Sequence, residues 1–446
     1  MGQSKKKIGA ENNLAWWQLS LLGIACTVGT GFFLGSQLAI EIGGPGILFT
    51  YALAALCTYF VFDKLAQMTV QQPLEGSFRS YAKKAFGRWA GFSSGWVYWT
   101  SELLIMGSQL SALSLFSRFW FPGVPMWCFA AGYGLLGLII VIFGTKGFDR
   151  LENIFAVIKT AAIVMFIIIA LLALFGVFTS NEHGPAIPNN WLPNGITGLW
   201  SSMLFAFFAY GGLEVIGIMA IRLKNPEDAP KSGRIMLIML AGIYIISLGL
   251  VLILEPWQSY MVNKSPFVVS LVDYHLAFVP HVFNGALIIA GFSTMTASLF
   301  AVTSMLVTLA KEHDAPSIFA RGKQKEGRKP IAAIALTATG LTGSVVFSLL
   351  MPESVYEYMT TAAGLMLLYN WLFILVTSGR LLEPSIWSKT KQYLAMGLII
   401  MAVIGTLLHE ISRPGFYISL GFIAVIGAVT LIMSRIWRRQ IDQQSL

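Results

Sequence analysis

Long, mostly apolar runs, most of them twenty residues or more, repeat along almost the whole chain, separated by short polar links. A bilayer core is crossed by roughly 20 apolar residues in a helix, so each run reads as one span. Twelve are predicted. They begin near Trp17, Gly46, Gly91, Pro125, Asn153, Ile196, Ile235, Val279, Ile331, Ser354, Tyr393 and Gly415. They end near Ile40, Met68, Phe119, Phe143, Phe178, Ile221, Glu255, Ala310, Leu350, Val376, Leu408 and Ile436. No polar link is long enough to fold alone. The expectation is an all-α integral membrane protein forming a single domain over residues 1–446, with tails at 1–16 and 437–446. The first run is too long for the core of a signal peptide and is read as a retained span.

Two spans are interrupted. Gly29-Thr30-Gly31 lies midway along the first, and Tyr210-Gly211-Gly212 lies within the sixth. Glycine in a helix interior costs about 1 kcal/mol relative to alanine. In lipid a broken helix is tolerated only where the freed backbone faces protein or a water-filled cavity. Both stretches therefore read as unwound hinges near the membrane midplane. The N–H groups at the start of the second half-helix attract a carboxylate. Paired interruptions in corresponding halves of a chain point to a transporter's binding site. The competing reading is that the glycines only allow close helix packing.

Composition and charge narrow the class. Of 446 residues, 56% are hydrophobic and 11% charged, against about 25% charged in soluble domains. The net charge of +9 is spread over short loops, so it argues for membrane topology and against nucleic acid. With the N-terminus in the cytoplasm, 26 of the 30 Lys and Arg fall on the cytoplasmic side, and only Arg118, Lys264 and Arg413 fall outside. This is the expected asymmetry, and it puts both termini in the cytoplasm. The loop 76–87 reads as an amphipathic helix, with Phe78, Tyr81, Ala82, Ala85 and Phe86 opposite Arg79, Lys83 and Lys84. Cys26, Cys57 and Cys128 lie in apolar segments without metal-ligand spacing. No nucleophile–His–acid set or P-loop is present. No enzyme activity, metal or cofactor is expected, and oligomeric state is not readable.

Ionisable residues deep in a span are functional candidates by default. There are three: Glu102, Lys159 and Glu214. Glu214 follows the second hinge and can take up a proton or cap the broken helix. Lys159 either snorkels to the surface or stands as an internal cation. Glu102 shares a helix face with Gln109, seven residues on; it faces the cavity or pairs with Lys159. Phe208 is a candidate lid over the ligand or a packing residue. Ser293, Thr294, Thr296 and Ser298 form a polar patch on the eighth span.

These stretches resemble the amino acid permeases of the amino acid–polyamine–organocation superfamily, most closely the bacterial amino acid transporter branch. The similarity rests on Gly29-Thr30-Gly31-Phe32-Phe33-Leu34-Gly35, Gly43-Gly44-Pro45, Gly76-Ser77-Phe78 with Tyr81-Ala82 and Phe86-Gly87, Gly91-Phe92 with Gly95-Trp96, Ile158-Lys159, Phe208 through Glu214 with Lys224-Asn225-Pro226-Glu227, and Ser265-Pro266-Phe267-Val268. The resemblance implies an inverted five-plus-five repeat with broken first and sixth helices and two extra helices. It implies a substrate carboxylate on Gly29, Thr30 and Gly31, beside Thr27. It implies an amino group on the backbone from Phe208 through Tyr210 to Gly211. It also implies that Lys159 replaces a sodium ion and that Glu214 couples protons, in a bacterial plasma membrane. One departure stands out: Gln109 occupies a position usually held by glutamate, and Glu102 lies two turns earlier, at the level of the substrate side chain. A neutral amino acid moved by alternating access is expected. A cationic amino acid or amine, with Glu102 as counter-ion, is the alternative within the class. A non-transporting amino acid sensor is the alternative outside it.

Overall fold

A computed structural model describes residues 14–74, 76–143, 145–178, 187–220, 223–260, 264–274, 276, 278–320, 330–351, 354–383 and 385–444. Among these every regular element is helical, and the one pairing of strand type is an isolated bridge between Leu14 and Leu223. The first part holds α1 (Trp16–Thr27), α2 (Thr30–Phe33), α3 (Gly35–Gly43), α4 (Ile47–Gln71), α5 (Phe78–Phe86) and α6 (Arg88–Arg118). Next come α7 (Met126–Phe143), α8 (Thr145–Leu174), α9 (Gly195–Ala209), α10 (Leu213–Met219), α11 (Ala229–Leu254) and α12 (Pro266–Val269). The chain finishes with α13 (Val279–Lys311), α14 (Ile331–Leu350), α15 (Val355–Leu381), α16 (Ile386–Gly405) and α17 (Arg413–Gln444).

Seven helical stretches among the described residues are long and apolar enough to cross a membrane. They are Thr30–Gln71, Ile154–Leu174, Pro226–Leu254, Val279–Lys311, Ile331–Leu350, Val355–Leu381 and Arg413–Arg438, and Met126–Ile142 and Gly195–Ala209 are shorter apolar helices. Thr30–Gln71 is not one rod, because Leu34 and the 3₁₀ turn Gly44–Gly46 divide it. Large apolar side chains such as Phe49, Leu135, Ile168, Ile238, Phe347 and Leu431 remain exposed around the outside. A soluble monomer rarely shows so much apolar surface, whereas a bilayer makes it the contact face.

α6 occupies the centre, packed against α13 on one side and α15 on another. α4 lies on α11, α3 on α9, and α1 on α11, α10 and α8. This brings the first and the ninth helix, far apart in sequence, into one core.

Three expectations need adjustment. The first apolar run is three helical pieces instead of two half-helices, because the chain bends again at Leu34. The helix at 76–87 forms as α5, but Arg79 is fully buried instead of facing solvent. It is buried because it meets two carboxylates: Arg79 Nη1 lies 2.7 Å from Glu312 Oε1, and its Nη2 contacts Asp314 Oδ2. Residues 437–444 continue α17 and are helical. Most of the N-terminal tail (1–13), the stretch 179–186 of an expected outside loop and the basic loop 321–329 lie outside the described residues.

Candidate functional site

The two breaks face each other. α1 stops at Thr27, Val28 is extended, and Gly29 (φ −156°, ψ −160°) turns the chain into α2. α9 stops at Ala209, and Gly212 adopts φ +112°, a conformation that favours glycine, before α10 begins. A methyl group added at Gly31 would lie 3.0 Å from the Phe208 ring and 3.3 Å from the Phe208 carbonyl oxygen. One added at Gly212 would lie 3.3 Å from Thr27 Oγ1 and 3.6 Å from the Cys26 carbonyl oxygen. One at Gly29 would lie 2.6 Å from Thr294 Cγ2. The bare backbone of each break is thus pressed against its counterpart or against α13.

A broken helix leaves carbonyls without partners, and in a membrane protein those groups must be satisfied by protein. Here side chains from distant segments supply the donors. Lys159 Nζ, on α8, donates to the Ala25 carbonyl oxygen at the end of α1, at 2.8 Å. Tyr244 OH, on α11, donates to the Ala209 carbonyl at the end of α9, at 3.0 Å. Ser265 Oγ donates to the Phe33 carbonyl at 2.7 Å, and Tyr356 OH, on α15, adds a second donor at 3.2 Å to the Thr30 carbonyl, which already accepts the Leu34 N–H at 2.8 Å. Thr30 Oγ1 itself donates to Gln109 Oε1 on α6. The N–H groups of Thr30 and Gly31, the first of α2, have no acceptor inside that helix and point into the break.

The three ionisable candidates are all buried around this place. Lys159 is 1% exposed, so it does not snorkel. Its charge lies at the C-terminal end of α1, where the helix dipole favours a cation. Glu214 sits in the first turn of α10 and accepts hydrogen bonds from the Gly212 N–H, at 3.3 Å, and from Trp371 Nε1. Glu102 accepts from the hydroxyls of Tyr98 and Ser298. Tyr98 lies one turn before Glu102 on α6, and Ser298 comes from α13.

Although these residues are deep in the fold, Cys26, Gly211 and Gly212 keep partial exposure. The breaks therefore border open space. Thr27 Oγ1 and Tyr210 OH are buried without a hydrogen-bond partner among the described residues, which leaves polar capacity beside both breaks. Thr27, Gly29, Thr30, Gly31, Phe208, Tyr210, Gly211 and Glu214 are thereby brought into one neighbourhood, with Lys159 behind α1 and Glu102 across from α13.

Sequence reasoning passed over Tyr98, Tyr244, Ser265, Tyr356 and Trp371. Each is an ordinary hydroxyl or indole on a span. Only the four-residue spacing of Tyr98 and Glu102, which puts them on one face, was available as a signal. Within the patch on α13 the roles divide: Thr294 packs on Gly29, Ser298 meets Glu102, and Thr296 bonds back to the Phe292 and Ser293 carbonyls.

Comparisons with known proteins agree on one group. A sequence model described as amino acid permease matches residues 18–412. The uncharacterized transporter YcgH of Bacillus subtilis (strain 168) is 54% identical over 439 residues, 98% of each chain. The aromatic amino acid transport protein AroP of Escherichia coli (strain K12) is 33% identical over 364 residues, 80% of this chain and 78% of that one. AroP of Shigella flexneri is likewise 33% identical over 364 residues.

Proposed function

We propose that this chain, which belongs to the amino acid permease family, carries a neutral amino acid across a bacterial plasma membrane by alternating access around its two helix breaks. Membership makes it a membrane-embedded transporter and not an enzyme. The finer reading rests chiefly on one observation: the bare backbone of Gly31 lies against Phe208, so the two breaks adjoin each other. In this reading the N–H groups of Thr30 and Gly31 take the substrate carboxylate. The carbonyls from Phe208 to Gly211 take its amino group. Phe208 covers it, and Thr27 and Tyr210 supply spare polar atoms. The architecture proposed is twelve spans, with an inverted five-plus-five repeat and both termini in the cytoplasm.

Protons are the proposed coupling ion. Glu214 is fully buried and hydrogen-bonded to neutral donors. Loading and unloading a proton on this carboxylate would change what it accepts from the Gly212 N–H and Trp371, and so bias the second break. Lys159 supplies a fixed cation at the first break.

The neutral substrate is favoured because Glu102 already accepts two hydroxyls, which lowers its value as a counter-ion for a cationic side chain. Aromatic substrates come first among neutral ones, since relatives carry the name aromatic amino acid transport protein. The test is thermal stabilisation of the purified protein by the twenty amino acids and simple amines, followed by accumulation of the best ligand in vesicles under an imposed proton gradient. A ligand that binds the folded state raises the unfolding temperature. Stabilisation by phenylalanine, tyrosine, tryptophan or an aliphatic amino acid, with gradient-dependent accumulation, supports the reading. Stabilisation by lysine, arginine or an amine alone overturns the substrate class. Binding without accumulation would make the chain a sensor.

A further inference from the structure

A cavity of about 490 Å³ opens where α5, the start of α6, the turn after α13 and the end of α17 meet. Its walls are of two kinds. Lys83, Arg88, Glu312 and His313 line one side, and Met433, Ile436 and Trp437 line the other. The polar side is held rigidly. Arg79 is fully buried, and it reaches Glu312 and Asp314 by crossing α6 at Gly95, where a methyl group would lie 3.0 Å from Arg79 Cδ. Lys83 Nζ lies 2.9 Å from Glu312 Oε2 and Arg88 Nε lies 3.0 Å from Asp314 Oδ1. Arg88 also donates to the His313 carbonyl at 2.9 Å, and its guanidinium stands 4.3 Å above the Trp437 ring. The carboxylates are brought there by the end of α13: His313 takes φ +60°, and the Asp314 N–H donates back to the Leu309 carbonyl at 2.8 Å. Such a left-handed residue ends a helix and reverses the chain.

Two features give the cavity a ligand chemistry. Three cations face two carboxylates, so the cluster keeps a positive surplus. Its outer members, Lys83 and Arg88, have side chains 40% and 34% exposed, with N–H groups beyond those already used. The apolar wall is continuous with a row on α17: Val425, Val429, Ile432 and Ile436, spaced three or four apart on one face, are all exposed. The row runs along the outside of the fold and ends at Trp437, with the exposed Arg435 and Arg438 beside it. Aromatic and basic residues at the end of an apolar lane mark headgroup depth.

We propose that this cavity binds an anionic phospholipid, its phosphate on Lys83 and Arg88 and an acyl chain along Val425, Val429, Ile432 and Ile436. Basic pockets between membrane helices hold lipid headgroups through the same chemistry. The site is separate from the helix breaks and does not depend on which amino acid they carry.

The experiment titrates the purified full-length protein with phosphatidylglycerol, phosphatidylcholine and inorganic phosphate. Bound lipid is read by native mass spectrometry and stability by the unfolding temperature. Phosphatidylglycerol is expected to be retained and to raise the unfolding temperature more than phosphatidylcholine, with inorganic phosphate inert. Lys83→Gln and Arg88→Gln should each weaken phosphatidylglycerol about fivefold and leave phosphatidylcholine unchanged. Ile432→Ser keeps every ion pair and should weaken both lipids, so it serves if Arg88→Gln does not fold. Equal response to the two lipids overturns the proposal, as does an unchanged titration in Lys83→Gln. Stabilisation by inorganic phosphate equal to that by phosphatidylglycerol also overturns it, because the site would then be a free-anion site.

Discussion

Replacing Gly29 by alanine puts a methyl group 2.6 Å from Thr294 Cγ2 and 3.0 Å from Thr294 Oγ1. The backbone there is extended, a conformation alanine adopts without strain, so the difficulty is contact and not flexibility. Ordinary contact starts at 3.4 Å, which leaves the pair about 0.8 Å too close. Thr294 cannot rotate away cheaply, since its hydroxyl donates to the Ala290 and Gly291 carbonyls at 3.2 and 3.0 Å. Instead α13 must retreat, carrying Ser298 and its hydrogen bond to Glu102 with it. Overpacking of this kind costs about 1–3 kcal/mol. If the whole cost falls on the substrate-bound form, affinity drops by about five- to 150-fold. Thr294→Ser removes the closer atom and keeps the hydroxyl, so Gly29→Ala/Thr294→Ser should regain most of the loss. Gly29→Val adds two further carbons and should abolish binding while the protein still inserts and purifies normally. The assay is the concentration dependence of uptake together with the ligand-induced rise in unfolding temperature. Normal uptake by Gly29→Ala would refute the close-approach argument. Failure of Thr294→Ser to restore function would show that glycine is needed there for another reason.

Lys159→Gln should lose a charged hydrogen bond to the Ala25 carbonyl, worth roughly 1.5–3 kcal/mol, and should impair uptake strongly, whereas Lys224→Gln on the exposed surface should change neither. Equal effects of the two, measured by unfolding temperature and uptake, would detach Lys159 from the break. Trp371→Phe keeps the aromatic packing but removes the Nε1 donor to Glu214. It should shift the pH profile of uptake more than the uptake of saturating substrate at neutral pH, and an unshifted profile would count against Glu214 as the coupling group. Burial pushes the Glu312 carboxyl up, but Lys83 and Arg79 outweigh it and hold the group below its ordinary value of 4.5. A depressed carboxylate stabilises the fold fully above its unfolded pKa and loses that contribution as pH falls through the folded one. Unfolding temperatures taken from pH 7 downwards should therefore fall less steeply below about pH 4.5 in Glu312→Gln than in the parent; identical slopes would contradict the ion-pair account.

The breaks were readable from the paired placement of glycines midway along two apolar runs, although close helix packing uses glycine in the same way. The ionisable candidates were readable for an energetic reason: Glu102, Lys159 and Glu214 are too costly in a span to be incidental. What each one touches was not. Lys159 finds its acceptor on a helix 134 positions away, and nothing in Ile158-Lys159-Thr160 distinguishes that from a side chain reaching for the surface. Glu102 and Gln109 share a face, yet one meets Ser298 on α13 and the other Thr30 on α2, two turns apart along α6. Arg79 was assigned to a solvated face by periodicity. Its carboxylate partners lie more than two hundred residues downstream, beyond the reach of any local pattern.

The donors that cap the broken helices also set an order of assembly. The Ala25 carbonyl waits for Lys159, 134 residues later, and the Phe33 carbonyl waits for Ser265, 232 residues later. At synthesis rates of about 5–20 residues per second, the second wait lasts on the order of tens of seconds. Until Lys159 arrives the Ala25 carbonyl has no side-chain donor, and until Ser265 arrives the Phe33 carbonyl has none. The least costly interim form in lipid is an unbroken helix, which satisfies its own backbone. The break at Gly29 is then a late event, made when α8 and α12 arrive. A nascent chain truncated before α8 should hold Gly29-Thr30-Gly31 as continuous helix, buried from thiol reagents at Cys26, and the pocket should come into being only once α12 has left the ribosome.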